Sequence, residues 1–184
     1  MEAILKVCTQ LKLSDGAHAK AFFNHMAAEH AHDEAAFLLA ANDYIFNPDD
    51  TKAAVFPAVF WNKQSYFRLN LSDNLRGKVY RMIGAQEVQA KMAGTNKVVT
   101  FDKAQMVKSS GVRQGGAANY NLITKAIDTC YRDMIRENIN RVVASVGSGT
   151  KLGKGNVDKS ALSDIQQYMG RFYPNGVGKA LKVA

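Results

Sequence analysis

The chain has 184 residues, 47% of them hydrophobic, with three prolines, two cysteines and a formal net charge of +8. That length suits one domain with a buried core, and the scarcity of proline favours helices over a turn-rich β fold. The charge excludes neither a protein nor a nucleic-acid partner, but the two cysteines exclude a disulfide framework.

In chain order, Ser14 or Asp15 can cap a first helix carrying Phe22, Phe23, Met26 and Ala27 on one stripe. Asp33 can cap a second, with Phe37, Leu38, Ala41, Tyr44 and Ile45 on its buried side and Asn47-Pro48-Asp49-Asp50 ending it. Residues 53–61 predict a third helix with Val55, Phe56, Val59 and Phe60 apolar, where Pro57 is tolerable only near the first turn. An aromatic connection, 61–67, leads to a helix capped by Ser72 or Asp73 and carrying Leu75, Val79, Met82 and Ile83. Residues 97–101 could form a short strand, and 109–116 form a glycine-rich loop. The clearest helix spans about 119–144, with the stripe Ile123, Ala126, Ile127, Cys130, Met134 and Val142, Tyr131 alongside, and Glu137 paired with Arg141 at i, i+4. Glycine and lysine break the chain over 147–155, a last helix covers 159–169, and a Tyr173-Pro174-Asn175-Gly176 turn leads to a basic tail. The fold class is all-α.

No apolar stretch is long enough to span a bilayer. Neither the start, Met1 to Cys8, nor the chain end carries a secretory signal or lipidation box. A cytoplasmic, reducing location follows as the expectation. Charge is unevenly placed: residues 1–60 hold four Lys/Arg against eight Asp/Glu, and 61–184 hold twenty against eight. A basic half attracts acidic surfaces or nucleic acid, although these lysines are scattered singly and also suit a solvated face.

Candidate chemistry is sparse. His18, His25, His30 and His32 fall within fifteen residues of one another. Glu29 and His32 have Glu-x-x-His spacing, but a carboxylate-bridged di-iron bundle needs a second such pair and no histidine remains for it. A surface metal site of His25, Glu29 and His32 therefore yields to a solvated polar face. The glycine-lysine stretches 149–154 and 176–180 lack the first glycine and the hydroxyl of a phosphate loop. Cys130 lies on an apolar face, as a buried inert thiol would. No catalytic residue, metal or cofactor is predicted.

Three segments together resemble the regulator-of-G-protein-signalling (RGS) domain family: Phe37-Leu38-Leu39-Ala40-Ala41-Asn42-Asp43-Tyr44, Leu69-Asn70-Leu71-Ser72 with Arg76, and Glu137-Asn138-Ile139-Asn140-Arg141-Val142. The resemblance covers about residues 14 to 144. It implies an RGS-like multi-helix bundle over 1–146, with an inserted loop at 86–118 and a basic extension, 147–184, containing one helix. It further implies a non-enzymatic domain that accelerates GTP hydrolysis by a G-protein α subunit through positioning alone. The implied partner-binding residues are Asp33, Glu34, Asn70, Arg76, Glu137, Asn138 and Arg141. Leu38 and Val142 depart from the family's tryptophan and phenylalanine. Asp33 and Glu34 stand where it has Glu-Asn, and a carboxylate cannot donate the amide's hydrogen bonds. GTPase activation is therefore expected to be weak. The alternative is a structural component of a cytoskeletal, ciliary or ribonucleoprotein assembly that uses the helical body and basic tail as a scaffold.

Overall fold

The computed structural model describes residues 1–63, 65, 68–83 and 117–148. Helices make up 79% of these and no strand occurs among them, so the described part is all-α. The expected strand at 97–101, the loop at 109–116, the last helix at 159–169 and the basic tail lie outside the described residues.

The elements are α1 (Glu2–Gln10), α2 (Gly16–Ala28), α3 (His32–Phe46), α4 (Asp50–Val55) running into a π-helical turn (Phe56–Phe60), α5 (Asp73–Met82), α6 (Ala117–Cys130), a second π-helical turn (Tyr131–Ile135) and α7 (Arg136–Gly147). Helix α1 has no counterpart among the elements expected from sequence. Its buried side, Ile4, Val7 and Cys8, has helical spacing, but no side-chain cap marks its start.

Helices α1 and α2 stop in the same way. Lys12 and His30 take left-handed backbone conformations (φ 53° and 60°). After α1, the Lys12 N–H reaches the Thr9 carbonyl and the Leu13 N–H the Cys8 carbonyl. After α2, the His30 and Ala31 N–H groups reach the Ala27 and Met26 carbonyls. This paired 5→2 and 6→1 pattern closes the orphan carbonyls of a helix end, usually with glycine at the left-handed position. Ala31 then serves directly as the N-cap of α3, so Asp33 falls in the first turn and is not the expected cap. A carboxylate there still meets the positive end of the helix dipole. Asp15, Asp49 and Ser72 do cap, accepting from the His18, Lys52 and Leu75 N–H groups.

Helix α3 is the axis of the body. Every residue from Glu34 to Tyr44 is buried, as suits a helix wrapped on all sides. Alanines 35, 36, 40 and 41 are each 0–1% exposed, and their small side chains let neighbouring helices close in. Phe37 meets Phe56 and Phe60 edge to face at centroid distances of 5.7 and 5.4 Å. Tyr44 meets Phe56, Phe56 meets Trp61, and Trp61 meets Tyr80. Such pairs add about 0.5–1.5 kcal/mol each beyond their area.

The third predicted helix starts three residues earlier than expected, at Asp50, and Pro57 sits deep within it. Proline lacks an N–H and clashes with the carbonyl four residues back, which the wider π turn relieves. The turn closes with Trp61 N–H on the Phe56 carbonyl. Helix α5 braces this turn: Tyr80 Oη donates to the Pro57 carbonyl at 2.9 Å, and Arg76 Nε to the Trp61 carbonyl at 2.8 Å.

The single helix expected over 119–144 is a run from Ala117 to Gly147 broken in phase by the second π turn. Ile123, Ala126, Ile127, Cys130 and Tyr131 are buried as expected. The extra residue of the π turn then rotates the face. Ile135 and Ile139 are buried beyond it, while Met134 is only half-buried.

Candidate functional site

The helix order places four of the seven candidate residues at one end of the body. The α2–α3 junction brings Asp33 and Glu34 to the first turn of α3, beside Asn138 and Arg141, which are one turn apart on α7. Asn138 Nδ2 lies 3.0 Å from both Glu34 Oε1 and Oε2 and donates to the carboxylate. Glu34 is only 9% exposed. Burial pushes its carboxyl above the ordinary value, and neighbouring Asp33 adds to this, against the Asn138 hydrogen bond and the Arg141 charge. Burial also raises the Asp33 carboxyl, opposed by His32, by backbone N–H groups and by Arg68.

Arg141 does not pair with Glu137 as its spacing suggested. Its Nη2 instead reaches Glu29 Oε2 at 3.4 Å, at the end of α2. With Arg141 67% and Glu29 39% exposed, this pair contributes at most about 1 kcal/mol. Glu29 Oε1 also lies 3.5 Å from His25 Nε2. Glu137 is exposed.

Asn70 stands apart from this cluster. Leu69 N–H binds the Phe60 carbonyl and Leu71 N–H binds the Leu69 carbonyl, both at 2.7 Å. That is an inverse γ-turn with exposed Asn70 at its tip. Arg76 is 5% exposed and turned inward, with Nη1 3.1 Å from Asp73 and Nε on Trp61. It positions the 61–72 connection. Glu29 and Arg68 join the cluster without having been singled out for it in the sequence. Arg68 immediately precedes the Leu69-Asn70 motif, but no spacing rule links it to Asp33.

Among the described residues, no group of three or more His, Cys, Asp or Glu side chains is arranged to hold a metal. His18 is committed to Asp15 at 2.7 Å. Burial pushes the Cys8 and Cys130 thiols up to about 12, so neither supplies a thiolate at neutral pH. No described helix is long and apolar enough to cross a membrane.

Comparisons with protein-family models, with curated proteins and with solved structures find no match to this chain.

Proposed function

We propose that the chain is a non-enzymatic binding scaffold within a larger assembly: a charge-balanced helical body that presents basic segments to an acidic partner. The division of charge carries this reading. Residues 1–83 and 117–146 hold thirteen Lys/Arg against twelve Asp/Glu. Within them Lys52, Lys63, Arg76, Lys78, Arg132 and Arg141 all pair with carboxylates. Segment 84–116 holds five Lys/Arg against two Asp/Glu, and 147–184 holds six against two. Charge left unbalanced is available to a polyanion, and such binding weakens with salt. Cosedimentation with RNA and with microtubules at low and high salt tests it. Salt-sensitive binding to one of them is expected, and no binding at low salt sinks the proposal.

A second reading, regulation of a G-protein α subunit of the RGS type, is favoured by the convergence of Asp33, Glu34, Asn138 and Arg141 at one end. In that reading GTPase activation is weak, because Glu34 is occupied by Asn138 and Arg76 is buried. Single-turnover GTP hydrolysis by a panel of α subunits tests it. Strong acceleration that disappears in Asn70→Ala would contradict the weak activation.

A further inference from the structure

Away from the Glu34 cluster, the end of α1 and the last two turns of α3 enclose a groove of about 280 Å³. That is just below the roughly 300–1,000 Å³ of drug-sized ligand pockets, which leaves room for one aromatic side chain. Cys8 and Thr9 form one side, and Phe46, on the last turn of α3, lines the other. Phe46 is 59% exposed and is the most exposed large hydrophobic side chain among the described residues. Asn47 and Pro48, which follow it, are exposed as well. One face therefore carries both a protruding ring and a hollow that takes a ring.

The charges around the groove select its occupant. Burial pushes the Cys8 thiol up to about 12, so the floor is neutral at physiological pH. The two charged side chains of the lining are Lys12 and Asp15, opposite in sign and both exposed. The Asp15 N–H binds the Lys12 carbonyl at 2.9 Å, yet among the described residues their side chains form no ion pair with each other. The Asp15 carboxylate turns to His18 instead, and both of those contacts fall on Oδ1. The carbonyl ends of α1 and α3 border the groove, which disfavours an anionic occupant. A face with one positive and one negative side chain and no net charge is complementary to itself: turned about a two-fold axis, each lysine meets an aspartate. Asn42 is 7% exposed, and its amide reaches Ser14 Oγ only at 3.5 Å, the limit of a hydrogen bond, which leaves it capacity for the backbone of an entering 46–48 segment.

We propose that this face joins two copies of the chain in an isologous pair, with each Phe46 seated in the other copy's groove against the opposite Phe46, and each Lys12 facing the other copy's Asp15. Two rings meeting this way remove from water the most exposed apolar side chain of the body and stack on each other. The inference goes beyond the scaffold reading and does not depend on it. Its consequence for that reading is that a pair presents two sets of the basic segments 84–116 and 147–184, so an acidic partner with repeated sites is held more tightly than by a single copy.

The test is sedimentation velocity of the full, nuclease-treated chain over a concentration series with no partner added. The wild-type chain is expected to pass from monomer to dimer as its concentration rises through the micromolar range. Phe46→Ala removes two rings per pair and is expected to weaken association at least about tenfold. Lys12→Glu sets like charges against each other twice and is expected to weaken it by a similar factor. Asp15→Lys is expected to fail alone in the same way, while an equimolar mixture of Lys12→Glu and Asp15→Lys restores both ion pairs and associates like the wild type. Asp15 also caps α2, so its variant is compared only if its helical circular dichroism spectrum matches the wild type, and otherwise Phe46→Ala and Lys12→Glu decide the question. A wild-type chain that stays monomeric at every concentration overturns the proposal. So does association that is unchanged in either Phe46→Ala or Lys12→Glu, and so does a mixture of two folded charge variants that stays monomeric. Each of these results leaves the scaffold reading standing, because no acidic partner is present in the experiment.

Discussion

The helical body and the segments outside it differ in charge composition. In the body, buried ionic groups are used to build the structure: Arg76 holds the Trp61 carbonyl, Lys52 lies 2.9 Å from Asp43, and Asn138 donates to Glu34. Segments 84–116 and 147–184 contain eleven Lys/Arg and only four Asp/Glu in all. Under the scaffold reading the nearly charge-balanced body serves folding and the basic segments serve binding, so each can be perturbed alone.

The largest effect is expected inside the body. Arg76→Ala removes a charge-assisted hydrogen bond and leaves the buried Trp61 carbonyl without that donor, costing about 2–3 kcal/mol in urea unfolding. Tyr80→Phe removes the other brace on the first π turn and costs about 1 kcal/mol. Unchanged stability in both variants would show that α5 does not brace the turn. Charge-neutral replacement of Lys151, Lys154, Lys179 and Lys182 should leave the unfolding curve in place and reduce affinity for an acidic partner, which separates the two regions directly.

Smaller effects sharpen the picture at the cluster end. Because burial raises the Asp33 and Glu34 carboxyls, the native state holds more protons than the unfolded chain between the ordinary carboxylate range and the raised values. These two groups therefore favour the folded state more as pH falls from neutral through that window, and the advantage is lost again as pH rises through their folded pKa values. Glu34→Gln removes its share, so the wild type should gain stability relative to that variant on mild acidification. Parallel pH profiles would contradict this. The smallest effect is His30→Gly, which frees a left-handed residue and should raise stability by up to about 1 kcal/mol.

Much of the body was legible in the sequence because local chemistry and burial agree there. Asp15 and Ser72 cap as their residue types suggest, and Phe22, Phe37, Val79 and Ile127 are buried on the stripes that periodicity marks. Two of the misses, in the third and the longest predicted helices, share a cause: periodicity assumes an unbroken 3.6-residue repeat. Each π turn adds a residue, so Pro57 could sit mid-helix and Ile135 and Ile139 could replace Met134 on the buried face. The candidate site was less legible. Asp33, Glu34, Asn138 and Arg141 do gather, but the Asn138–Glu34 hydrogen bonds and the Arg141–Glu29 contact join residues 104 and 112 positions apart in the chain. Spacing along one helix pointed instead to Glu137. The burial of Arg76 likewise depends on the Trp61 carbonyl, fifteen residues away.

The most direct test of the central claim is the salt dependence of binding to RNA and to microtubules by the wild-type chain and by a variant with Lys151, Lys154, Lys179 and Lys182 replaced by glutamine. The account predicts tight binding to one of the two at low salt, a steep loss with added salt, and a shallower slope in the variant with no change in its unfolding curve. Binding to neither at low salt, or equal slopes for the two proteins, would contradict it.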